Sequence, residues 1–191
     1  MWKNLRREAI FSDFAISVDF DLPLDQVEKD CHTIMNRSQI VNRSNVGGRQ
    51  SEILFDCELE SLRQLQSLVT QFTLDEMTAM GFNIEKTRNV WWVNINESQS
   101  YNQIHTHGRS DLIGIYYIKA PKDSGKLCVV RNDGLTYTSL VANNNPNFRA
   151  SLEFDPIPNK FYLFPGHVWH HVTENRSKED RISISFNIEV Q

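Results

Sequence analysis

Two histidines separated by one residue stand in the run YNQIHTHGRSDLIGIYYIKAP. Successive side chains of a β-strand point to opposite faces, so His105 and His107 on a strand aim both imidazoles at one point. A metal site begins this way, and it needs a third ligand from elsewhere in the chain. A second group of suitable residues lies in FPGHVWHHVTENRSKEDRISISFNIEV, where His167, His170 and His171 sit on a turn leading into a strand. The final strand of that stretch alternates strictly. Ile182, Ile184, Phe186, Ile188 and Val190 share one face, and Arg181, Ser183, Ser185, Asn187 and Glu189 share the other. A lone amphipathic strand ordinarily turns its polar face to water. Arg181 and Ser183 offer something more specific, a guanidinium fork beside a hydroxyl, which is the equipment for gripping a carboxylate.

These groups must be positioned by elements that the sequence also announces. Residues 11–20 alternate loosely and read as a strand. Pro23 then opens a helical pattern, with Leu24, Val27, Cys31 and Ile34 at spacings of three and four. A polar stretch containing Gly47-Gly48 reads as a loop. Leu62, Leu65, Leu68, Val69, Phe72, Met77 and Met80 indicate helical structure, expected as two helices interrupted near Thr73 and closed by Gly81. Beyond Gly81 the period changes. VWWVNI, YNQIHTH, LIGIYYIKA, KLCVVR, SLEF, FYLFP, HHVTE and RISISFNIEV are short runs rich in β-branched and aromatic residues, divided by Pro, Gly, Asn and Asp. With no helical pattern between them, they predict an antiparallel double-sheet jelly roll.

The expected whole is α+β, mainly β, and a single domain over residues 1–191. Residues 1–85 supply an N-terminal strand and helices that pack on the outer face of one sheet, and residues 86–191 form the jelly-roll core with the site. Residues 36–50 and the long gap from Asn132 to Phe148 are expected to roof the pocket.

The bulk composition excludes several classes. A chain of 191 residues, 40% hydrophobic, can bury a core of its own. A net charge of -4 argues against a protein built to coat nucleic acid, and the one dense basic stretch, Lys3 to Arg7, is too short for that task. Cys31, Cys57 and Cys128 are odd in number and widely spaced, which fits neither a disulfide framework nor a paired-cysteine zinc site. No apolar run approaches the ~18 residues of a membrane span, and the N-terminus has no signal-peptide core. The expectation is a soluble cytoplasmic protein with no membrane contact, and a homodimer formed through sheet edges is compatible with it.

Taken together, the two histidine clusters and Arg181 resemble the iron(II)- and 2-oxoglutarate-dependent oxygenases, which hold iron inside a double-stranded β-helix of the jelly-roll type. Their pattern is His-x-Asp or Glu, a distal His, and an Arg about ten residues after it, often followed by Ser at the second position beyond. Here ten residues separate His170 from Arg181, and Ser183 completes Arg-x-Ser. The chain is similar above all to a small family of bacterial and phage oxygenases whose first motif reads His-x-His. That motif is followed by a strand like Ile113-Gly114-Ile115-Tyr116-Tyr117-Ile118 and a turn like Phe164-Pro165 to His170. The resemblance covers roughly residues 90–190.

The resemblance implies a catalytic metal centre of His105, His107 and His170, with Fe(II), 2-oxoglutarate as co-substrate, and O2. Arg181 and Ser183 would bind the far carboxylate of 2-oxoglutarate, and Asn102 and Tyr101 would be co-substrate or outer partners. It also implies hydroxylation of a small-molecule or peptide substrate, with release of succinate and CO2.

His-x-His departs from the superfamily pattern. Three neutral imidazoles leave the metal one more positive charge than two histidines and a carboxylate do, and nitrogen-only ligation also suits zinc, nickel or copper. Asp111, the nearest carboxylate, lies four residues beyond His107 and is not expected to ligate. Two alternatives stand beside this reading. A cupin-like three-histidine dioxygenase without 2-oxoglutarate explains the histidines but leaves Arg181 and Ser183 unemployed. A non-enzymatic jelly-roll binding module predicts neither metal nor co-substrate. His167 and His171 are expected at the surface or behind the ligands, and His32 is structural. Within Trp91-Trp92 and Tyr116-Tyr117, alternation sends one residue of each pair to the core and leaves the other for the pocket.

Overall fold

The computed structural model describes residues 13–131 and 149–191. Their elements run β1 (Ile16–Asp19), α1 (Leu24–Arg37), β2 (Asn45–Val46), β3 (Arg49–Gln50), α2 (Glu60–Ala79), β4 (Thr87–Asn96), β5 (Tyr101–His105) and β6 (Leu112–Lys119). They continue as β7 (Leu127–Val130), β8 (Ser151–Phe154), β9 (Lys160–Pro165), β10 (Trp169–Val172) and β11 (Arg181–Val190). The expected strands after Gly81 are all present, as β4 through β11.

Pro23 cannot extend a helix backwards but suits its start, and its carbonyl accepts the N–H groups of Gln26 and Val27. α1 buries Val27, Cys31, Ile34 and Met35, and α2 buries Leu62, Leu65, Val69 and Met77. The break expected near Thr73 does not occur. Residues 60–79 contain neither Gly nor Pro, and a buried β-branched residue lowers helix propensity only slightly.

Two antiparallel sheets face each other, a six-stranded one in the order β1-β9-β6-β11-β4-β3 and a five-stranded one in the order β2-β5-β10-β7-β8. This is the double-stranded β-helix that the strand pattern predicts. β11 lies inside the six-stranded sheet, paired with β4 along its whole length and with β6 over most of it. Its alternation therefore divides two interiors. Ile182, Ile184, Phe186 and Ile188 join the main core with Trp91, Tyr116 and Phe161, beneath the two helices. The other face looks between the sheets, where Ile113, Ile115, Tyr117, Tyr162 and Phe164 form a second apolar cluster. From Arg181 to Asn187 the polar face of β11 thus lines a cavity instead of turning to bulk water.

Gly114 on β6 is where the main core leaves no room. A Cβ there would stand 2.5 Å from the ring of Phe161 and 3.3 Å from the Cβ of Phe186. Gly114→Ala should therefore lower the urea midpoint at unchanged slope, with an overpacking cost of about 1–3 kcal/mol.

The stretch read as a loop around Gly47-Gly48 contains two short strands. Both glycines have φ +64, and the turn carries the chain from β2 on one sheet to β3 on the other. A side chain at position 48 would meet Ile95 O at 2.8 Å, so the turn requires glycine there. Residues 11–12 of the expected first strand and the loop from Asn132 to Phe148 lie outside the described residues. No described helix is long and apolar enough to cross a membrane.

Candidate active site

His105 ends β5, and its register partner across the sheet is His170 on β10. Antiparallel pairing alone therefore sets two imidazoles side by side, with ring centroids 4.3 Å apart. His107 reaches the same place by a different route. The strand stops at His105, so His107 does not owe its direction to strand alternation. Its N–H donates to Gly166 O at 2.8 Å, and its carbonyl accepts from Ser110 N at 2.8 Å. One ring nitrogen from each of the three lies within 4.8 Å of the others.

Hydrogen bonds select which nitrogens are free. Nδ1 of His105 meets Gln103 O at 2.7 Å, Nδ1 of His170 meets Val168 O at 2.9 Å, and Nδ1 of His107 meets Asn187 Oδ1 at 2.6 Å. Carbonyl oxygens only accept, so each Nδ1 carries the proton and each Nε2 keeps its lone pair for coordination. Burial lowers the pKa of all three rings, to about 4 for His107 and about 3 for His170. For His170 the neighbouring His105 adds to that effect. At neutral pH the rings are uncharged, which is the state a metal requires.

Asn187 and Trp92 hold His107 from two sides. The indole of Trp92 stacks on the imidazole at 5.9 Å and 8°. Replacing Asn187 by leucine keeps the bulk and removes the acceptor. It should cost about 10–100-fold in metal affinity, measured against a chelator of known strength.

The same cavity, of about 870 Å³, contains Arg181, Ser183 and Tyr117. Arg181 is 1% exposed. Its Nη1 donates to Ser124 O at 2.6 Å, and its Nε has no partner. Among the described residues no carboxylate pairs with it. A cation held out of water without a counter-charge costs several kcal/mol, on the order of 3–5 for a broken pair. Burial pushes the Tyr117 phenol up to about 12, so it stays neutral and supplies no negative charge. This guanidinium, its Nε still free and Ser183 on the same strand face, fits the carboxylate of a ligand.

The family model described as "Putative 2OG-Fe(II) oxygenase" matches residues 90–187, just over half of the chain. The chain belongs to this family. No curated protein matches it. Among solved structures it is similar to a prolyl-4-hydroxylase from Pseudomonas putida, with a TM-score of 0.68 and 14% identity over 93% of this chain and 92% of that one. It is similar also to HygX from Streptomyces hygroscopicus with nickel and 2-oxoglutarate bound, with a TM-score of 0.59 and 12% identity over 92% and 82%. A third is the epimerase SnoN in complex with Fe3+, alpha ketoglutarate and nogalamycin RO, with a TM-score of 0.64 and 12% identity over 93% and 79%. At such identities these likenesses establish a shared fold.

Within this 2OG-Fe(II) oxygenase, the other residues singled out from the sequence separate clearly. Asn102 lines the cavity and Tyr101 does not. The cause is a bulge. Register passes from His170↔His105 to Val172↔Asn102, so Asn102 and His105, three apart, share the inner face. Tyr101 is left 38% exposed. Of the two, the structure brings only Asn102 to the cavity.

Asp111 points away from the histidines, its Oδ2 accepting Val190 N–H at 2.9 Å. His167 pairs at the surface with Asp13, 2.9 Å away. Trp91 and Tyr116 go to the main core, while Trp92 and Tyr117 line the cavity. The role of Asn187 was not read from the sequence. Its position on the Arg181 face of β11 is the signal that places it in the cavity.

Proposed function

We propose that the chain hydroxylates a small-molecule or peptide substrate, using Fe(II) held by His105, His107 and His170 and 2-oxoglutarate anchored by Arg181 and Ser183. When bound, iron and 2-oxoglutarate would supply oxidative decarboxylation, in which O2 would give one atom to the succinate carboxylate as CO2 leaves and the other to the product hydroxyl. The chain's own residues do the rest. Three neutral imidazoles offer lone pairs on one side of a vertex and leave the other side open. Arg181 fixes the distance of an acid group from that vertex, and Ser183 adds a hydroxyl donor. Trp92, Ile113 and Ile115 line the cavity with apolar surface that limits water.

The observation that carries this reading is the buried Arg181, without a carboxylate partner among the described residues, in the same cavity as the histidine cluster. A three-histidine oxygenase that ignored 2-oxoglutarate would leave that cation without a purpose.

The test is anaerobic titration of metal-free protein with Fe(II) and 2-oxoglutarate. A visible charge-transfer band should appear when both are present and with neither alone. Saturating amounts of both with no band would overturn the reading.

A further inference from the structure

The charge pattern of the cavity runs opposite to that of the chain. The chain has a net charge of -4, yet the charged groups lining the cavity, histidines aside, are Arg43, Arg109 and Arg181 against the single acid Glu52. Among the described residues, arginine ion pairs are made by Arg37, Arg49, Arg63, Arg88 and Arg176, and none by these three. Arg181 is buried and is assigned above to 2-oxoglutarate. Arg43 and Arg109 are exposed and line the solvent-facing rim. They come from separate segments. Arg43 precedes β2, its backbone N–H bound to Asn45 Oδ1 at 2.9 Å. Arg109 sits in the turn between β5 and β6 that Ser110 N→His107 O closes at 2.8 Å.

A second observation points the same way. Every acceptor bound to a ligand imidazole is a neutral oxygen, from Gln103, Asn187 and Val168. Asp111, the nearest acid in sequence, is bound to the Val190 N–H instead. Neither the ligands nor their hydrogen-bond partners bring negative charge. A divalent metal plus Arg181 against dianionic 2-oxoglutarate therefore leaves the loaded centre with one net positive charge. A carboxylate ligand in place of one imidazole would have made it neutral. A cavity with low-dielectric walls focuses such a field on whatever enters.

We propose that the substrate is an anion, a carboxylic acid or a phosphate monoester, whose acidic group is received by Arg43 and Arg109 at the cavity rim. Guanidinium forks match either group in two-point contacts, and the reacting carbon then lies between that anchor and the histidine vertex. This inference rests on the oxygenase reading.

It is tested on the protein loaded with Ni(II) and 2-oxoglutarate, which binds without turning over. The probes are matched pairs: carboxylic acids beside their primary amides, and phosphate monoesters beside their parent alcohols. Binding is followed by ligand-observed NMR. Acids or phosphate esters should bind at least about tenfold more tightly than their uncharged partners. That preference should weaken with added salt. R43Q/R109Q should lose it, and R43K/R109K should recover part of it. A response confined to the acids identifies a carboxylate substrate, and one confined to the esters a phosphorylated one. Equal binding of charged and uncharged partners, or no binding by any acid or ester, overturns the proposal. Failure to take up Ni(II) and 2-oxoglutarate would instead count against the oxygenase reading, and the same samples report it.

Discussion

Arg181→Met will lose 2-oxoglutarate while keeping the metal, and the metal-free protein will be about as stable as the parent. Both outcomes have one cause. The guanidinium is 1% exposed with an unpartnered Nε, and no carboxylate faces it among the described residues. Its desolvation is offset only when an acid arrives. Removing one partner of a buried charged contact costs about 2–5 kcal/mol of binding, or roughly thirtyfold to several thousandfold in Kd. Methionine fills most of the same volume without a charge, and such replacements of buried ions are neutral or stabilising by about 1–4 kcal/mol. Against that stands the lost charge-assisted bond to Ser124 O, about 1.5–3 kcal/mol, so the net change is near neutral. Isothermal titration of 2-oxoglutarate and thermal melting of the metal-free protein read the two effects separately. An unchanged Kd for 2-oxoglutarate would remove Arg181 from the co-substrate role. A large drop in melting temperature would show that Arg181 holds the fold and not a ligand.

The contrast between what the sequence revealed and what it hid follows from the range of the forces involved. β11 was legible because its two faces meet different surroundings, an apolar core and a polar-lined cavity, which imposes period two, and its ten residues give that period room to show. The same strand carried the clue that its polar face was unusual, since an arginine and a serine open it. β2 and β3 span two residues each, too short for any period, and they exist because two glycines at positive φ let the chain cross between sheets.

The histidine pair shows the limit most clearly. Alternation along a strand suggested that His105 and His107 converge. The rings do converge, but His107 lies past the strand end, aimed by Gly166 and Asn187 from distant parts of the chain. Tyr101 and Asn102 were indistinguishable in one dimension. A bulge set by the partner strand separates them. Contacts between residues far apart in sequence decide such details, and a local pattern does not record them.

Replacing His170 by alanine should abolish measurable metal binding and change how stability depends on pH. The metal effect follows from the ligand count. Removing a group that only orients a ligand costs about 10–100-fold in affinity, so removing the ligand itself costs more.

The pH effect follows from burial. An unfolded histidine takes up a proton near pH 6.5, whereas folded His170, shielded from water and flanked by His105, does so only at about 3. Between those values the unfolded chain binds a proton that the folded chain refuses. Stability of the metal-free parent is therefore complete above pH 6.5 and is lost as pH falls toward the folded value. The contribution of His170 over pH 6.5 to 4 is on the order of 3 kcal/mol. At pH 7 the alanine variant is the less stable protein, because it carries a cavity where the ring stood. As the pH is lowered it has one protonation fewer to resist, so the gap to the parent narrows. Urea unfolding in chelator at pH 7, 6, 5 and 4 measures that gap. Parallel curves for parent and variant would mean that His170 is open to protons in the folded state, and hence not sheltered in the cavity with Arg181.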